Sequence, residues 1–440
     1  MPAPAPKTYW FILGRESLIA AAEIGAVLSV KNYKYSSQIL KVDGLSLRQP
    51  TPVISTRAKR NGEIPLQSVR DPSTAVGMTI KPHDLINRLG GTIKIGEEIA
   101  DNITEEELKN NIIEELKTVT GKINFGLSFY TAEKIDLRGV KNLGLQIKKS
   151  LKASGYSIRY VENKEPALSS VAVEKNGLTN RGREFLIEKR RVSMDGTRHD
   201  SAESNKFSLA KTAAVQPFEE FGARDFGRPG RDDVSGMLPP KLAMMMINLA
   251  QAPKDGVLLD PFCGSGTIIS EALLLGYTNL IGSDISEKAI ANSKQNIDWI
   301  AKKFQISNNK FQINLQVSNV KNLNKILKPN SIDAIAAEPY LGAPLRGNEN
   351  QGVLLKQAGE LKTLYIEAFK QFAEILKPGG AVVFIIPRFK FKNDWITIDC
   401  KKDIEAFGFK SIPFLEKYPH LLYARPNQRV GREIWRFEKK

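Results

Sequence analysis

Residues 258–276, LLDPFCGSGTIISEALLLG, decide the fold. A short apolar run ends at Asp260. A tight loop carrying Gly264 and Gly266 follows, and the chain then enters apolar helical spacing without a break. Strand, glycine turn, helix is a unit in which the glycines let backbone approach a ligand and leave the first helical N–H groups free to meet it. The turn lacks the Gly-Lys-Ser/Thr ending of a phosphate loop, and Ile269 stands where a dinucleotide fingerprint would carry its third glycine.

The sequence after this unit continues the pattern. "NLIGSDI" reads as a strand, "SEKAIANSKQNIDWIAKKF" as a helix, "FQINLQVSN" as a strand, "ELKTLYIEAFKQFAEIL" as a long helix and "AVVFIIPRF" as a strand. Strands alternating with helices of this length predict a parallel, doubly wound α/β sheet over residues 257–390, covered by helices on both faces. "GREIWRFE" and part of "KSIPFLEKY" read as further strands closing one edge. The second strand places Asp284 twenty residues after Gly264. A carboxylate there suits both hydroxyls of an adenosine ribose. The third strand is expected to end at Asn319, whose amide suits the adenine amino group. Such a pocket accepts a nucleoside without gripping a phosphate, and S-adenosylmethionine fits that description. The fourth strand, Ile332–Gly342, IDAIAAEPYLG, stops at Glu338, so a carboxylate stands at a strand tip beside the same pocket.

The 440 residues predict more than one domain. No apolar run approaches the length of a membrane span, "MPAPAP" reads as a disordered lead-in, and two cysteines and three scattered histidines offer neither a disulfide framework nor metal-ligand spacing. The expectation is a cytoplasmic protein with no metal. Lys plus Arg number 64 against 48 Asp plus Glu, giving +16 and a polyanionic partner to consider. Residues 141–191 hold 12 basic and 5 acidic residues, a localised excess. Within it, "KNLGLQIKKSLKASGY" sets Leu143, Ile147 and Leu151 on one helical face and Lys148, Lys149 and Lys152 on the other. "YSIRYV", "LSSVAV" and "REFLIE" read as strands. Arg181, Arg183, Lys189, Arg190 and Arg191 read either as an RNA contact or as charges protecting a sheet edge. "MDGTRHDSAESNK" is polar and reads as a linker. Met244, Met245 and Met246 read as helix core, and Cys263 as a small filler of the loop.

"DPFCGSGT", "GSDIS" and the acid-Pro-Tyr tip resemble motifs of class I S-adenosylmethionine-dependent methyltransferases. More narrowly, residues 221–250, FGARDFGRPGRDDVSGMLPPKLAMMMINLA, look like the segment preceding the first strand in THUMP-containing tRNA guanine-N2 methyltransferases, which act on guanosine 10. The resemblance is specific over about 215–390. The basic helix and "KEPALSSVAVEKNG" look like a THUMP domain, and residues 1–60 like the ferredoxin-like unit that accompanies one.

The resemblance implies a Rossmann-like, seven-stranded methyltransferase domain at 215–440, a ferredoxin-like unit at 1–60, a THUMP-like RNA-binding domain at 61–192 and a linker at 193–214. It implies cofactor contacts from Asp260, Phe262, Cys263, Gly264, Gly266, Thr267, Asp284, Ile285, Asn319 and Val320. Glu338, Pro339 and Tyr340 fall on the family's Asp-Pro-Pro-Tyr tip, which holds the methylated amine and stacks its base. Aligned on Gly342, Glu338 takes the place of the Asp, and the ring is displaced by one position or supplied by Tyr340 from a new angle; aligned on Pro-Tyr, Ala337 takes the place of the acid. Lys148, Lys149, Lys152, Arg181, Arg183 and Arg346 are the expected RNA contacts. The function implied is N2-methylation of a tRNA guanosine. The alternatives are another RNA or another nucleobase amine, or a cofactor-binding RNA protein that has lost catalysis.

Overall fold

A computed structural model describes residues 7–30, 33–36, 38–45, 81–193, 203–231, 237–307, 311–425 and 428–440. The "MPAPAP" lead-in and His199 lie outside them. The chain opens with β1 (Lys7–Leu13), α1 (Ser17–Leu28), β2 (Lys34–Ser36) and β3 (Ile39–Leu45). After α2 (Pro82–Ile86) come β4 (Thr92–Ile103), α3 (Glu105–Lys117), β5 (Ile123–Tyr130), α4 (Leu137–Ala153), β6 (Ile158–Tyr160), α5 (Ser170–Lys175), β7 (Gly182–Ser193) and β8 (Glu203–Val215). These strands form one sheet in the order β2-β3-β1-β4-β8-β7-β5-β6. β1 reads as continuous apolar sequence because both of its faces are covered. Tyr9, Phe11 and Leu13 pack with α1 and α2, while Trp10 and Ile12 pack with Ile39, Tyr130 and Leu186. A reciprocal Thr104–Glu107 capping box starts α3. On α4, Val140, Leu143, Gly144, Ile147 and Leu151 are the buried stripe. Gly144 is required there, since a Cβ would lie 2.4 Å from the Tyr160 ring.

Two expectations change here. "LSSVAV" forms α5 instead of a strand, because Ser169 caps a helix by accepting from the Ala172 N–H at 3.2 Å. The expected linker ends too late: its residues from Glu203 onward lie in β8, hydrogen-bonded to β4 on one side and β7 on the other. The polar stretch misled because Ser, Asn and Lys there belong to a strand whose apolar residues, Phe207, Leu209 and Ala210, come only later. The described residues 7–45 and 81–193 contribute to one sheet, since β1 pairs antiparallel with β4.

The second half contains α6 (Phe218–Phe226), α7 (Pro240–Ala250), β9 (Val257–Asp260), α8 (Thr267–Leu274), β10 (Asn279–Asp284), α9 (Glu287–Lys303), β11 (Gln312–Val317), α10 (Leu323–Ile326), β12 (Ile332–Ala337), α11 (Gln351–Ile375), β13 (Leu376–Phe391), β14 (Asp394–Ile396), α12 (Lys401–Glu405), β15 (Phe409–Ser411), β16 (Leu421–Tyr423) and β17 (Val430–Lys439). Its sheet has nine strands instead of seven: β11-β10-β9-β12-β13-β17-β15 in order, with β14 paired to β13 and β16 to β17. The first five are parallel to their neighbours, and β17 runs antiparallel between β13 and β15. Helices α7, α8 and α9 cover one face, and α11 and α12 the other. Met244, Met245 and Met246 are core, as expected of methionines filling gaps in a helix interface.

The two sheets meet through backbone contact. Glu23 of α1 accepts from the N–H groups of Gly90 (2.8 Å) and Gly91 (2.9 Å) and from Asn248 Nδ2 of α7 (2.7 Å). A Cβ on Gly91 would sit 2.4 Å from that of Ala20, and one on Gly90 would sit 2.2 Å from the Lys241 carbonyl oxygen. Among the described residues no helix is long and apolar enough to cross a membrane.

Candidate active site

The C-terminal ends of β9, β10 and β12 open onto a cavity of about 730 Å³. This edge is where parallel sheets bind ligands, because consecutive loops diverge there. The glycine turn after β9 forms its floor. Gly264 and Gly266 both take positive φ, +51° and +80°, and Gly266 is the residue that leads into α8. No side chain caps α8, so its first N–H groups remain available.

The turn is braced from behind. The Ser293 hydroxyl donates to the Gly264 carbonyl at 2.7 Å, and Asn296 Nδ2 donates to the carbonyls of Ser265 and Gly230, each at 2.8 Å. Arg228 donates to the Thr267 hydroxyl at 2.5 Å. Asp284, at the end of β10, accepts from the Gly264 N–H (3.0 Å) with one oxygen and from the Ser286 N–H (2.9 Å) with the other. Each oxygen keeps a further lone pair for a ligand hydroxyl.

Asp260 is buried and accepts from the Phe262 N–H at 3.1 Å, so it caps the turn from below. Burial pushes its carboxyl well above the usual carboxylate range, and the charges of Asp284 and Glu338 push the same way. Burial likewise raises the Cys263 thiol, whose sulfur lies 3.8 Å from the Ser293 hydroxyl. A thiol held protonated is a packing group here. Ile285 is 70% exposed at the mouth, while Val320 is buried beneath the turn that follows β11. That strand ends at Val317, two residues before Asn319. Asn319 lines the cavity, and its side-chain oxygen also accepts from the Lys321 N–H at 3.0 Å.

A carboxylate on β10, bare helical N–H groups, apolar walls at Phe262, Ile285 and Val320, and a turn without Lys or Arg together suit a nucleoside with no phosphate. Nine of the ten residues expected at the cofactor line this one cavity; Gly266 does not, and instead leads from the turn into α8.

Glu338, Pro339 and Tyr340 line it too, on the side of β12. Pro339 is buried and Tyr340 is 58% exposed. The buried Tyr365 hydroxyl donates to the Tyr340 carbonyl at 2.8 Å and fixes the tip on α11. Gly342 then turns the chain at φ +95°, against Gln357. The Glu338 carboxylate is not loose. Arg432 Nε of β17 donates to its Oε1 at 2.5 Å, and both side chains are 15% exposed. Sequence reading named neither Arg432 nor Tyr365. "GREIWRFE" was legible as a strand, but nothing in it reveals which strand tip its arginine faces.

The residues expected at RNA lie elsewhere and are not equivalent. Lys149 and Lys152 are exposed on α4 away from its apolar stripe, while Lys148 is half-buried at the edge of that stripe. Arg181 is exposed just before β7. Arg183 is held at 3.3 Å by Glu115, which also takes Lys211 at 2.9 Å. Arg190 pairs with Asp101 and Arg191 with Glu133. β7 lies inside its sheet, so these arginines protect no edge. Arg346 is exposed in the loop beyond Tyr340. Among the described residues no His, Cys, Asp and Glu cluster could hold a metal.

Comparison with known proteins agrees with this geometry. Residues 228–407 match the family described as "RMKL-like, methyltransferase domain". A match to a DNA methylase family over 147–295 straddles both sheets. The tRNA (guanine(10)-N2)-dimethyltransferase of Methanocaldococcus jannaschii is 28% identical over 154 residues, 35% of this chain and 38% of that protein. The enzyme of the same name from Methanothermobacter thermautotrophicus is 36% identical over 95 residues, 21% of this chain and 27% of that protein. The aligned part therefore spans well under half the length of these relatives. The crystal structure of TrmN from Thermus thermophilus matches 99% of this chain and 100% of its own at a TM-score of 0.50 and 14% identity, a likeness of fold. Residues 228–407 thus match an RMKL-like methyltransferase domain, and the chain is similar in sequence to tRNA (guanine(10)-N2)-dimethyltransferases.

Proposed function

We propose that the protein is an S-adenosylmethionine-dependent methyltransferase acting on the N2 amine of a guanosine in tRNA. The observation that carries this reading is the convergence of Glu338, Asp284 and the Gly264–Gly266 turn on one cavity. When bound, the cofactor supplies a methyl group already activated on a sulfonium, so the chain's task is placement. Asp284 holds the ribose hydroxyls, and the turn receives the rest of the nucleoside against bare N–H groups. Glu338 accepts a hydrogen bond from the exocyclic amine. That bond favours pyramidal nitrogen, directs its lone pair and offsets the positive charge that develops as the N–C bond forms. The Pro339 carbonyl is a second acceptor for the amine, and the exposed Tyr340 ring stacks on the base. A paired guanine has its N2 occupied, so the base enters the cavity flipped out.

The N-terminal sheet is the RNA-gripping part in this reading, with ferredoxin-like and THUMP-like portions sharing one sheet. The exposed Lys149 and Lys152, the half-buried Lys148 and the exposed Arg181 and Arg346 meet phosphate. Arg183, already paired with Glu115, contributes less. The setting this reading implies is the cytoplasm, where tRNA is modified. The test is methyl incorporation from labelled S-adenosylmethionine into tRNA, followed by mass mapping of the modified nucleoside. N2-methylguanosine or N2,N2-dimethylguanosine is expected. Label in adenosine or cytidine would redirect the substrate, and tight cofactor binding with no incorporation would leave an RNA-binding protein without catalysis.

A further inference from the structure

We propose that Arg432 is the positioning residue for Glu338. It fixes one carboxylate oxygen so that the other faces the amine to be methylated. This deepens the guanine-N2 reading and rests on it. Glu338 follows β12 directly, and Arg432 stands on β17, two strands away across β13. Ala337, Phe384 and Trp435 form one row across the three strands, and Arg432 lies opposite Pro387, further along the same edge. Strands two apart are separated by roughly 9.6 Å. Only two long side chains meet across that distance, and Arg with Glu do so at 2.5 Å, Nε to Oε1. The shorter Asp would fall short of the guanidinium. The substitution that looks like a departure at the strand tip therefore has its counterpart on β17.

Neither partner is free to wander. The Arg432 guanidinium lies 5.9 Å from the centre of the Tyr423 ring, whose hydroxyl accepts from Arg425 Nε at 3.1 Å. Both Glu338 and Arg432 line the cavity that holds Asp284 and the glycine turn. Guanidinium has donors and no acceptor, so its bond to Oε1 ties down that oxygen and leaves Oε2 as the acceptor that remains. Arg432 acts through Glu338 and transfers no proton. Its removal should therefore cost turnover and leave binding alone.

The experiment is a double-mutant cycle on the full chain with tRNA as substrate. Arg432→Ala should lower kcat by about 100-fold, the size expected for a misplaced catalytic group. The tRNA KM and the Kd for S-adenosylhomocysteine, measured by calorimetry, should stay within about twofold. In a Glu338→Ala background, Arg432→Ala should have almost no further effect, because nothing remains to position. Arg432→Lys keeps the charge without the fork and should fall between wild type and alanine. If Arg432→Ala does not fold, as lost cofactor binding would show, the lysine variant completes the cycle. Multiplying losses would overturn the proposal. So would a raised KM with a salt slope of RNA binding reduced by about 1, the sign of a phosphate contact. If wild type methylates tRNA and Arg432→Ala keeps its kcat, the positioning role alone falls. If wild type transfers no methyl to RNA, the functional reading falls and takes this proposal with it.

Discussion

Replacing Gly264 by alanine should leave the fold nearly intact and cripple cofactor binding, whereas the same change at Gly266 should damage the fold itself. A Cβ on Gly264 meets nothing nearer than the Phe262 carbonyl oxygen at 4.0 Å. The fold then bears only the strain of alanine at φ +51°, about 1 kcal/mol. For a domain of this size that is a fall in Tm of about 2–4 °C. The added methyl, however, stands on the floor of the cavity, where overpacking costs about 1–3 kcal/mol, or roughly 5- to 150-fold in Kd. At Gly266 the Cβ would lie 2.9 Å from Ser293 Oγ and 3.2 Å from Ser293 Cα. Left-handed strain of about 1 kcal/mol combines with overpacking of about 1–3 kcal/mol and the lost Ser293–Gly264 hydrogen bond, about 1 kcal/mol. The total is about 3–5 kcal/mol of stability. Thermal melts and calorimetric titration with S-adenosylhomocysteine, run on both variants, separate the two effects. Wild-type cofactor affinity in Gly264→Ala would refute the assignment of this turn to the cofactor. Equal destabilisation by both substitutions would refute the packing argument.

Asp284→Ala should weaken cofactor binding at least tenfold while tRNA affinity, read by gel shift, stays nearly unchanged; unaltered cofactor Kd would mean that the ribose site lies elsewhere. Glu338→Gln keeps an acceptor and should retain most methyl transfer, whereas Glu338→Ala should lower it at least about 100-fold to a slow but measurable rate; equal rates would remove Glu338 from the amine. Charge reversal of Lys149 and Lys152 should raise the tRNA Kd and flatten its salt dependence by about one unit of slope per lysine; an unchanged slope would clear α4 of RNA. Burial raises the Glu23 carboxyl to about 7 from an ordinary 4.5, against three hydrogen bonds that pull it down. A carboxyl raised in the fold contributes stability that is complete below pH 4.5 and lost as pH rises through about 7. Melting curves should therefore show Tm falling across that interval in wild type and a weaker fall in Glu23→Ala; parallel curves would clear Glu23.

The methyltransferase half was legible because its signals are local. A buried strand, a glycine turn and a helix are contiguous in Leu258–Gly276, and each later strand tip follows its own apolar run. Such a fold delivers its site residues as the last residues of successive strands, so Asp260, Asp284 and Glu338 could be named in order. Arg432 could not, since it reaches the site from an antiparallel strand 94 residues after Glu338. The N-terminal half was less legible for a related reason. In its order β4-β8-β7-β5 the β4–β8 and β7–β5 pairs join segments far apart in sequence, and a polar run such as 203–206 belongs to a strand only because of what lies beside it. α5 was misread because Val171 and Val173 favour strands, while the deciding group is the Ser169 cap.

The central place of β8 bears on how the chain is made. Synthesis delivers β1 to β4 and then β5 to β7 before residue 203 leaves the ribosome. Until then β4 and β7 each present a long unpaired edge, and what joins them is the last strand of that sheet to be synthesised. The N-terminal sheet therefore closes only as the chain enters the methyltransferase half. A nascent chain stalled before residue 215 would display two sticky half-sheets, and a fragment cut at the polar stretch would stay in that state permanently.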